Sequence, residues 1–293
     1  MVAPMARQEL SDSLDDIIRQ ACAGSLEPLY RHFIRRGGLP GTRPNYALAK
    51  DAASRLLQSG PAGKNVLIAL SKLGHGEAAS DTAHEFFVVT GVVGQGIAIA
   101  RGKENLAKSK DLLALQGFAE DRRKWVRDSV HIALGEVIAA HGDLAIEALA
   151  PWMDGYLQAE SVLRAMTLPE TDQSVRSAAL LTARLDEAFT LAEKAPRAHE
   201  RSHGYRALVR ALEEVPPSLG KRFSTDLAEW IERRAVTQVP ELRDAIQGAL
   251  GKMRKSGVRA GDLQAAQEAL GASKPAPRDP RSYVGPTRKR GKK

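Results

Sequence analysis

The sequence contains one cysteine, Cys22, so no disulfide can form within the chain, and a reducing, cytoplasmic setting is expected. Aromatic residues make up only 5% of the chain, which argues against a surface on which nucleic-acid bases stack. The stretch Met1–Gln8 has no apolar segment, so no secretory signal is expected there. The longest nearly apolar run, Phe86–Ala100, is shorter than the ~20 residues of a membrane-spanning helix, so no membrane partner is expected.

Positive charge is concentrated at the C-terminal end of the chain. Residues 274–293 contain eight Lys or Arg and one Asp, whereas residues 1–273 contain 35 basic and 34 acidic side chains. The tail also has many prolines and little to bury, which predicts that residues 273–293 are disordered when free. Counterion release favours polyanion binding by its densest cluster, which consists of Arg288, Lys289, Arg290, Lys292 and Lys293.

One apolar helical pattern occurs twice with the same polar beginning. Val126-Arg127-Asp128 leads into Ala133-Leu134-Gly135, and Leu242-Arg243-Asp244 leads into Ala249-Leu250-Gly251. The apolar positions lie at i, i+4, i+7 and i+8, which places them on one face of a helix. A fainter copy begins at Val175-Arg176. Recurrence of one helix indicates a stacked helical array.

Most of residues 1–272 have the pattern of helices joined by short turns. Strand-like alternation is confined to Phe86–Thr90, and the Phe86–Ala100 run is compatible with either a strand or a helix. Asn45 is a candidate N-cap, and the pair Pro216-Pro217 is expected to follow the end of a helix. The predicted helices are Gln8–Ala23, Ser25–Arg36, Asn45–Gln58, Asp143–Leu157, Tyr205–Glu214 and Phe223–Arg234.

The repeated Val-Arg-Asp and Leu-Arg-Asp helices resemble the second helix of HEAT repeats over about residues 110–255. The resemblance implies a curved stack of antiparallel helix pairs, with Val and Leu in the core and Arg and Asp in contacts between repeats. The expected fold is therefore all-α: an irregular HEAT-like α-solenoid over residues 1–272, followed by a disordered basic tail at 273–293. The irregular spacing of the copies indicates degenerate repeats.

Two short motifs have the spacing of a metal site and of a cofactor-binding loop, but the neighbouring residues do not favour either function. His199-Glu200-x-x-His203 has the spacing of a zinc-binding helix with Glu as general base, but the cationic Arg201 lies between the two histidines. A solvent-exposed polar turn is the favoured interpretation, and no metal or cofactor is predicted. The segment Thr90–Gly96 resembles the dinucleotide loop of short-chain dehydrogenases, one residue short. A buried helix with small residues for close packing is favoured there.

The leading functional hypothesis is a non-enzymatic interaction or scaffold protein that binds a protein or nucleic acid. The tail would add electrostatic affinity, and the cluster Arg122, Arg123 and Lys124 is a weaker candidate for phosphate contacts. The alternative is a base-excision enzyme, because some alkylpurine DNA glycosylases are HEAT-like solenoids that use a neighbouring Trp and Asp. The nearest pairs are Trp152 with Asp154 and Trp125 with Asp128. A zinc hydrolase using the His199 motif is the least favoured hypothesis.

Overall fold

The computed structural model describes residues 13–102 and 105–273, and all regular secondary structure in these two ranges is helical. The all-α prediction is therefore confirmed for this part of the chain. None of its helices is long and apolar enough to cross a membrane. The α-helices are α1 (Leu14–Cys22), α2 (Glu27–Arg36), α3 (Tyr46–Gln58), α4 (Pro61–Ser71), α5 (Glu85–Arg101), α6 (Lys110–Gln116), α7 (Lys124–His141), α8 (Asp143–Ala148), α9 (Tyr156–Ala165), α10 (Ala178–Glu193), α11 (His203–Leu219), α12 (Ser224–Arg234), α13 (Pro240–Lys255) and α14 (Gln264–Ala272).

Several helix boundaries follow from local sequence signals. The Asn45 side chain accepts a hydrogen bond of 3.1 Å from the backbone N of Leu48, which confirms it as the N-cap of α3. Gly60 has a φ of +74°, which allows the chain to turn sharply between α3 and α4. Pro61 then occupies the first turn of α4, where a missing N–H costs no intrahelical bond.

Alternate helices contact one another in chain order. α5 packs against α3 and α7, α7 against α9, α9 against α11, and α11 against α13. These six helices are called the first row. Among the remaining helices, α10 packs against α8 and α12, and α12 packs against α14. Each first-row helix from α5 to α11 therefore has a neighbour on both sides within its own row.

Both strong copies of the repeated pattern form buried helix faces. Val126 and Leu134 on α7 are fully buried, as is Leu242 on α13, and Leu250 is 4% exposed. Both α7 and α13 belong to the first row, so the repeated sequence occurs in two helices of the same row. The prediction that these stripes face the core is confirmed.

The fainter third copy is not a copy of the same helix. Val175 and Arg176 precede α10, whose N-cap is Ser177, and they are therefore outside the helix. The backbone just before α10 is held instead by Asp143, whose Oδ1 accepts hydrogen bonds from the backbone N of Arg176 and Ser177. In addition, α10 is not part of the first row. The prediction of a Val-Arg helix beginning at residue 175 was wrong.

Helix α5 resolves the ambiguous run Phe86–Ala100 as a buried helix. A Cβ added to Gly96 would lie 2.4–2.7 Å from backbone atoms of Ala133 on α7, and one added to Gly91 would lie 2.4 Å from the backbone N of Ser71. These glycines let α5 approach its neighbours closely. The similarity of Thr90–Gly96 to a dinucleotide loop was therefore misleading, and the close-packing interpretation is confirmed.

Of two proline sites, one lies inside a helix and the other separates two helices. α11 continues to Leu219 with Pro216 and Pro217 inside it, so the predicted end at Glu214 was wrong. Each proline removes one intrahelical hydrogen bond, and the last turn of α11 forms in spite of that loss. Pro151, by contrast, lies in a 3-10 turn at residues 150–154 that separates α8 from α9, which divides the predicted helix Asp143–Leu157.

The substitution Gly96→Ala is expected to destabilise the fold by about 1–3 kcal/mol, because its new methyl group would overlap the backbone of α7. The matched control is Gly251→Ala on α13, where a Cβ meets nothing within 4 Å. That control should stabilise the protein by about 0.5–1 kcal/mol, since Ala is a better helix former. Urea unfolding of the two variants measures both effects, and an equal response would contradict the close-packing role of Gly96.

Candidate functional site

A polar cleft of about 360 Å³ lies where α7, α9 and α11 meet, within the first row. Eight charged or titratable side chains line it, and they are the residues that define the polar cleft here. The basic ones are Lys124, Arg127, Arg164, His203 and Arg210, and the acidic ones are Asp128, Glu160 and Glu214.

Helical periodicity explains why these side chains converge. On α7, Lys124, Arg127 and Asp128 lie at i, i+3 and i+4, and therefore share one face opposite the buried stripe. Glu160 and Arg164 have the i, i+4 relation on α9. Because α9 packs against both α7 and α11, the polar faces of all three helices are brought to one cleft.

Arg164 is the electrostatic centre of the polar cleft. Its Nη1 lies 3.0 Å from Oε1 of Glu160 and 3.3 Å from Oδ1 of Asp128. Both carboxylates are largely withdrawn from solvent, with side chains 16% and 25% exposed. Burial raises the pKa of the Glu160 carboxyl, and the attraction of Arg164 only partly opposes this. Two of the three acidic groups are therefore turned inward toward one guanidinium.

Neutral polar groups lie behind the ion pairs. Burial, together with the nearby Arg164 charge, lowers the pKa of His131 to about 3, so this imidazole is neutral at physiological pH. Its Nε2 lies 3.4 Å from Nη2 of Arg164, an arrangement in which the ring accepts a hydrogen bond from the guanidinium. Burial also raises the pKa of Tyr46, with the charge of Asp128 adding to the effect. Within the described part of the chain, the Tyr46 Oη and the His131 Nδ1 have no hydrogen-bond partner.

The outer rim of the polar cleft is richer in positive charge than its interior. Lys124 and Arg210 are exposed there, as is His203, and Glu214 is the exposed acidic group. The Lys124 Nζ also lies 4.0 Å from the centroid of the Trp125 ring, a cation–π contact. A ligand that enters the cleft from solvent therefore meets cations before it meets the inward carboxylates.

The predicted basic cluster at residues 122–124 separates into different roles. Arg123 is 5% exposed; it forms an ion pair of 2.7 Å with Asp121 and donates to the backbone carbonyls of Leu73 and Ala78. Its charge is therefore used inside the fold and is not presented to a phosphate. Arg122 is exposed but does not line the cleft, whereas Lys124 does.

The two histidines of the His-Glu-x-x-His motif lie on different elements. His199 ends a 3-10 turn, and its Nδ1 lies 3.2 Å from the Oη of Tyr156. His203 begins α11 and lines the polar cleft, with Ser202 as the N-cap between them. The motif is thus not on one continuous helix. In residues 13–102 and 105–273, no group of three His, Cys, Asp or Glu side chains is placed to hold a metal.

The two Trp–Asp pairs are also separated by the fold. Trp125 is 9% exposed and packs in the hydrophobic core, whereas Asp128 faces the polar cleft. Trp152 is 2% exposed in the core, and Asp154 lines a different groove. The tail cluster Arg288, Lys289, Arg290, Lys292 and Lys293 lies outside the described residues.

Sequence reasoning missed Glu160, Arg164, His131 and Tyr46. An i, i+4 Glu–Arg pair is common on exposed helix faces, so the spacing of Glu160 and Arg164 gave no signal of burial. Tyr46 lies on α3, far from α7 and α9 in sequence, and gave no local signal either. Lys50, also on α3, forms an ion pair of 2.7 Å with Glu136 and a second with Glu170. The long-range packing of α7, α9 and α11 creates this site.

The substitution Arg164→Met should destabilise the protein by about 1–3 kcal/mol at pH 7, because two inward carboxylates lose their counter-charge. This cost is smaller than that of breaking a fully buried ion pair, since the Arg164 side chain is 37% exposed. The folded-state pKa of Glu160 is already raised, and losing Arg164 raises it further. An acid whose pKa is raised in the folded state makes the fold less stable as pH rises. The destabilisation caused by Arg164→Met should therefore be smaller at pH 5 than at pH 7.

Urea unfolding at both pH values measures this effect. Arg210→Met is the matched control, since it removes the same charge from the exposed rim and should change stability by less than about 0.5 kcal/mol. Equal, pH-independent losses in the two variants would show that Arg164 does not hold the inward carboxylates.

No protein-family model, no curated protein and no solved structure matches this chain.

Proposed function

We propose that this chain is a helical-repeat interaction protein of HEAT-like type that binds a polyanionic partner. The order of contacts supports a repeat architecture, since the first-row helices pack in sequence from α3 to α13. The repeated pattern on α7 and α13, both members of that row, is what a degenerate array would retain. In such an array, each helix would contact its neighbours and the row would offer one continuous surface to a partner.

The distribution of charge at the polar cleft carries the proposal. Arg164 engages the inward carboxylates of Asp128 and Glu160, while Lys124 and Arg210 remain exposed at the rim. An anionic group approaching the first row would therefore meet net attraction, although the chain from 1 to 273 is nearly neutral. The tail, with seven net positive charges, would add affinity without sequence specificity. Nucleic acid fits this requirement, and an acidic protein is the alternative partner.

A second candidate, removal of a damaged base from DNA, is favoured by one observation. Asp128 presents a carboxylate that is 25% exposed in a cleft with a cationic rim, as an enzyme stabilising positive charge on a departing sugar would require. Against it, Trp125 is committed to the core and does not line the cleft with Asp128. Binding without catalysis is therefore the primary proposal.

Polyanion binding is expected to depend on the tail and, to a smaller extent, on the cleft rim. If the tail neutralises about five phosphates, it should contribute roughly −4 to −5 to the slope of the logarithm of the affinity for duplex DNA against log salt. Deleting residues 274–293 should remove this contribution, which is most of the total slope. In the full chain, Lys124→Gln with Arg210→Gln should lower the magnitude of the slope by about 1–2. Fluorescence anisotropy over a range of salt concentrations provides the measurement.

A suitable control for the rim pair is Arg233→Gln with Arg254→Gln, which removes two exposed cations that do not line the cleft. It should change the slope less than the rim pair does. An unchanged slope after the tail deletion would place the binding site on the helical body. If the full chain shows no DNA or RNA binding at low salt, an acidic protein remains as the partner.

The base-excision candidate has its own test. The full-length protein would be incubated with DNA containing an alkylated purine, and abasic sites would be detected by alkaline cleavage. Activity lost in Asp128→Asn and kept in Asp154→Asn, whose carboxylate lines another groove, would support this candidate. A lack of activity in the unmodified protein would exclude it for that substrate.

A further inference from the structure

An apolar pocket of about 320 Å³ lies between α4 and α6, and it shares no lining residue with the polar cleft. Both helices pack against α5, which forms the floor of the pocket. Its volume is within the range of small-molecule sites, ~300–1,000 Å³. The apolar side chains that line this space, called here the apolar pocket, are Leu57, Leu67, Ile68, Ala98, Ala114 and Phe118.

The close approach of α4 to α5 leaves the floor without a large side chain. A Cβ added to Gly94 would lie 2.6 Å from Cδ2 of Leu67, and one added to Gly91 would lie 2.4 Å from the backbone N of Ser71. Since positions 91 and 94 lie against positions 71 and 67, the two helices run in opposite directions. Ala98, one turn beyond Gly94, therefore lies toward the start of α4 and adds only a methyl group to the floor. The packing of these two helices keeps open a space that larger side chains would fill.

One face of α4 and its C-cap forms a wall with a cation near each end. The wall residues have the spacing i, i+3, i+4, i+7 and i+8, and they are Lys64, Leu67, Ile68, Ser71 and Lys72. The two lysines are eight residues apart, which is a rise of about 12 Å along a helix. The Lys64 Nζ lies 3.8 Å from Oδ2 of Asp111, the one acidic side chain in the lining. The charge of Lys64 is therefore opposed within the pocket itself.

Lys72 and Gln95 supply N–H donors that the protein leaves unused. Lys72 is exposed and pairs with no carboxylate of the described residues, and the half-buried amide of Gln95 has no hydrogen-bond partner among them either. With Lys64 opposed by Asp111, the lining has one net positive charge. The apolar pocket thus combines hydrocarbon surface with donors for one anionic group, and a charge-assisted hydrogen bond to a carboxylate satisfies them.

We propose that the apolar pocket binds a small apolar carboxylate, namely a free medium-chain fatty acid. The hydrocarbon chain packs against Ile68, Ala114 and Phe118, and the carboxylate accepts hydrogen bonds from Lys72 and Gln95. This binding activity goes beyond the proposed function, since it uses neither the polar cleft nor the basic tail.

Isothermal titration calorimetry of the full-length protein with decanoate, below its micelle-forming concentration and without nucleic acid, tests the proposal. Decan-1-ol and decylamine have the same hydrocarbon chain with a neutral and a cationic head. Decanoate should bind about fivefold more tightly than decan-1-ol, the effect of one exposed charge pair, and decylamine should bind more weakly than either. Equal affinities for the three compounds would overturn the assignment of a carboxylate.

A substitution that fills the pocket locates the binding. Ala114→Phe places a ring at the lining from the exposed side of α6, and its matched control is Ala69→Phe, which is exposed on α4 outside the lining. Each buried methylene group contributes roughly fourfold to affinity, so loss of the space for two of them should weaken decanoate binding by about tenfold. Ala69→Phe should leave the affinity unchanged.

A second pair of variants tests the charge. Lys72→Gln should lower the affinity for decanoate by about fivefold and leave that for decan-1-ol unchanged. Lys255→Gln, which removes an exposed cation outside the lining, should change neither. Thermal melting of every variant establishes that it is folded.

Three results would overturn the proposal: no binding of decanoate, equal weakening by Ala114→Phe and Ala69→Phe, or equal effects of Lys72→Gln and Lys255→Gln. Since no polyanion is present in these titrations, failure of the polyanion proposal leaves their outcomes unchanged.

Discussion

The close approach of α5 to α7 is the contact on which the rest of the first row depends. Gly96 lies against the backbone of Ala133, so the two helices meet at a distance that no side chain would allow. Glu85, at the start of α5 and fully buried, accepts hydrogen bonds from the backbone N of Trp125 and of Asp81. This carboxylate therefore fixes where α7 begins. The first turn of α7 supplies Asp128 to the polar cleft, so its position follows from α5.

The placement of charged side chains in this protein matters more than the net charge. The chain from 1 to 273 is nearly neutral, yet the polar cleft has its acids inward and its cations outward. A second groove, at the start of α9 and along α10, contains Asp186 and Glu187, which pair with Arg234 and Arg184. Because exposed charges are screened over about 8 Å at physiological salt, the charges of these two surfaces act largely independently.

The sequence predicted the buried stripes well, because helical periodicity reports directly on which face avoids water. Val126, Leu134 and Leu242 lie in the core as that pattern required. Asn45 was recognisable as an N-cap because its side chain satisfies a backbone N–H locally. Local rules misplaced the end of α11 at Glu214, since proline disfavours a helix without forbidding its last turn.

The candidate site could be predicted only in part. Lys124 could be predicted because it belongs to a run of adjacent basic residues in the sequence. Arg123 in the same run is buried, since it donates hydrogen bonds to the backbone of residues 73 and 78. Arg164 and His131 gave no local signal, because their environment comes from three helices that are far apart in sequence. The His199–His203 spacing was misleading because the zinc-binding motif requires both histidines on one helix. In the structure α11 begins after its N-cap Ser202, so His199 lies outside that helix.

The two prolines in α11 have a mechanical consequence. Since neither has an N–H, the carbonyls of Leu212 and Glu213 receive no intrahelical hydrogen bond from positions 216 and 217. Unwinding the last turn of α11 therefore breaks fewer backbone bonds than unwinding an ordinary turn. The chain enters α12 through this turn, so a displacement of α12 relative to α11 would unwind the turn before it disturbed the rest of α11.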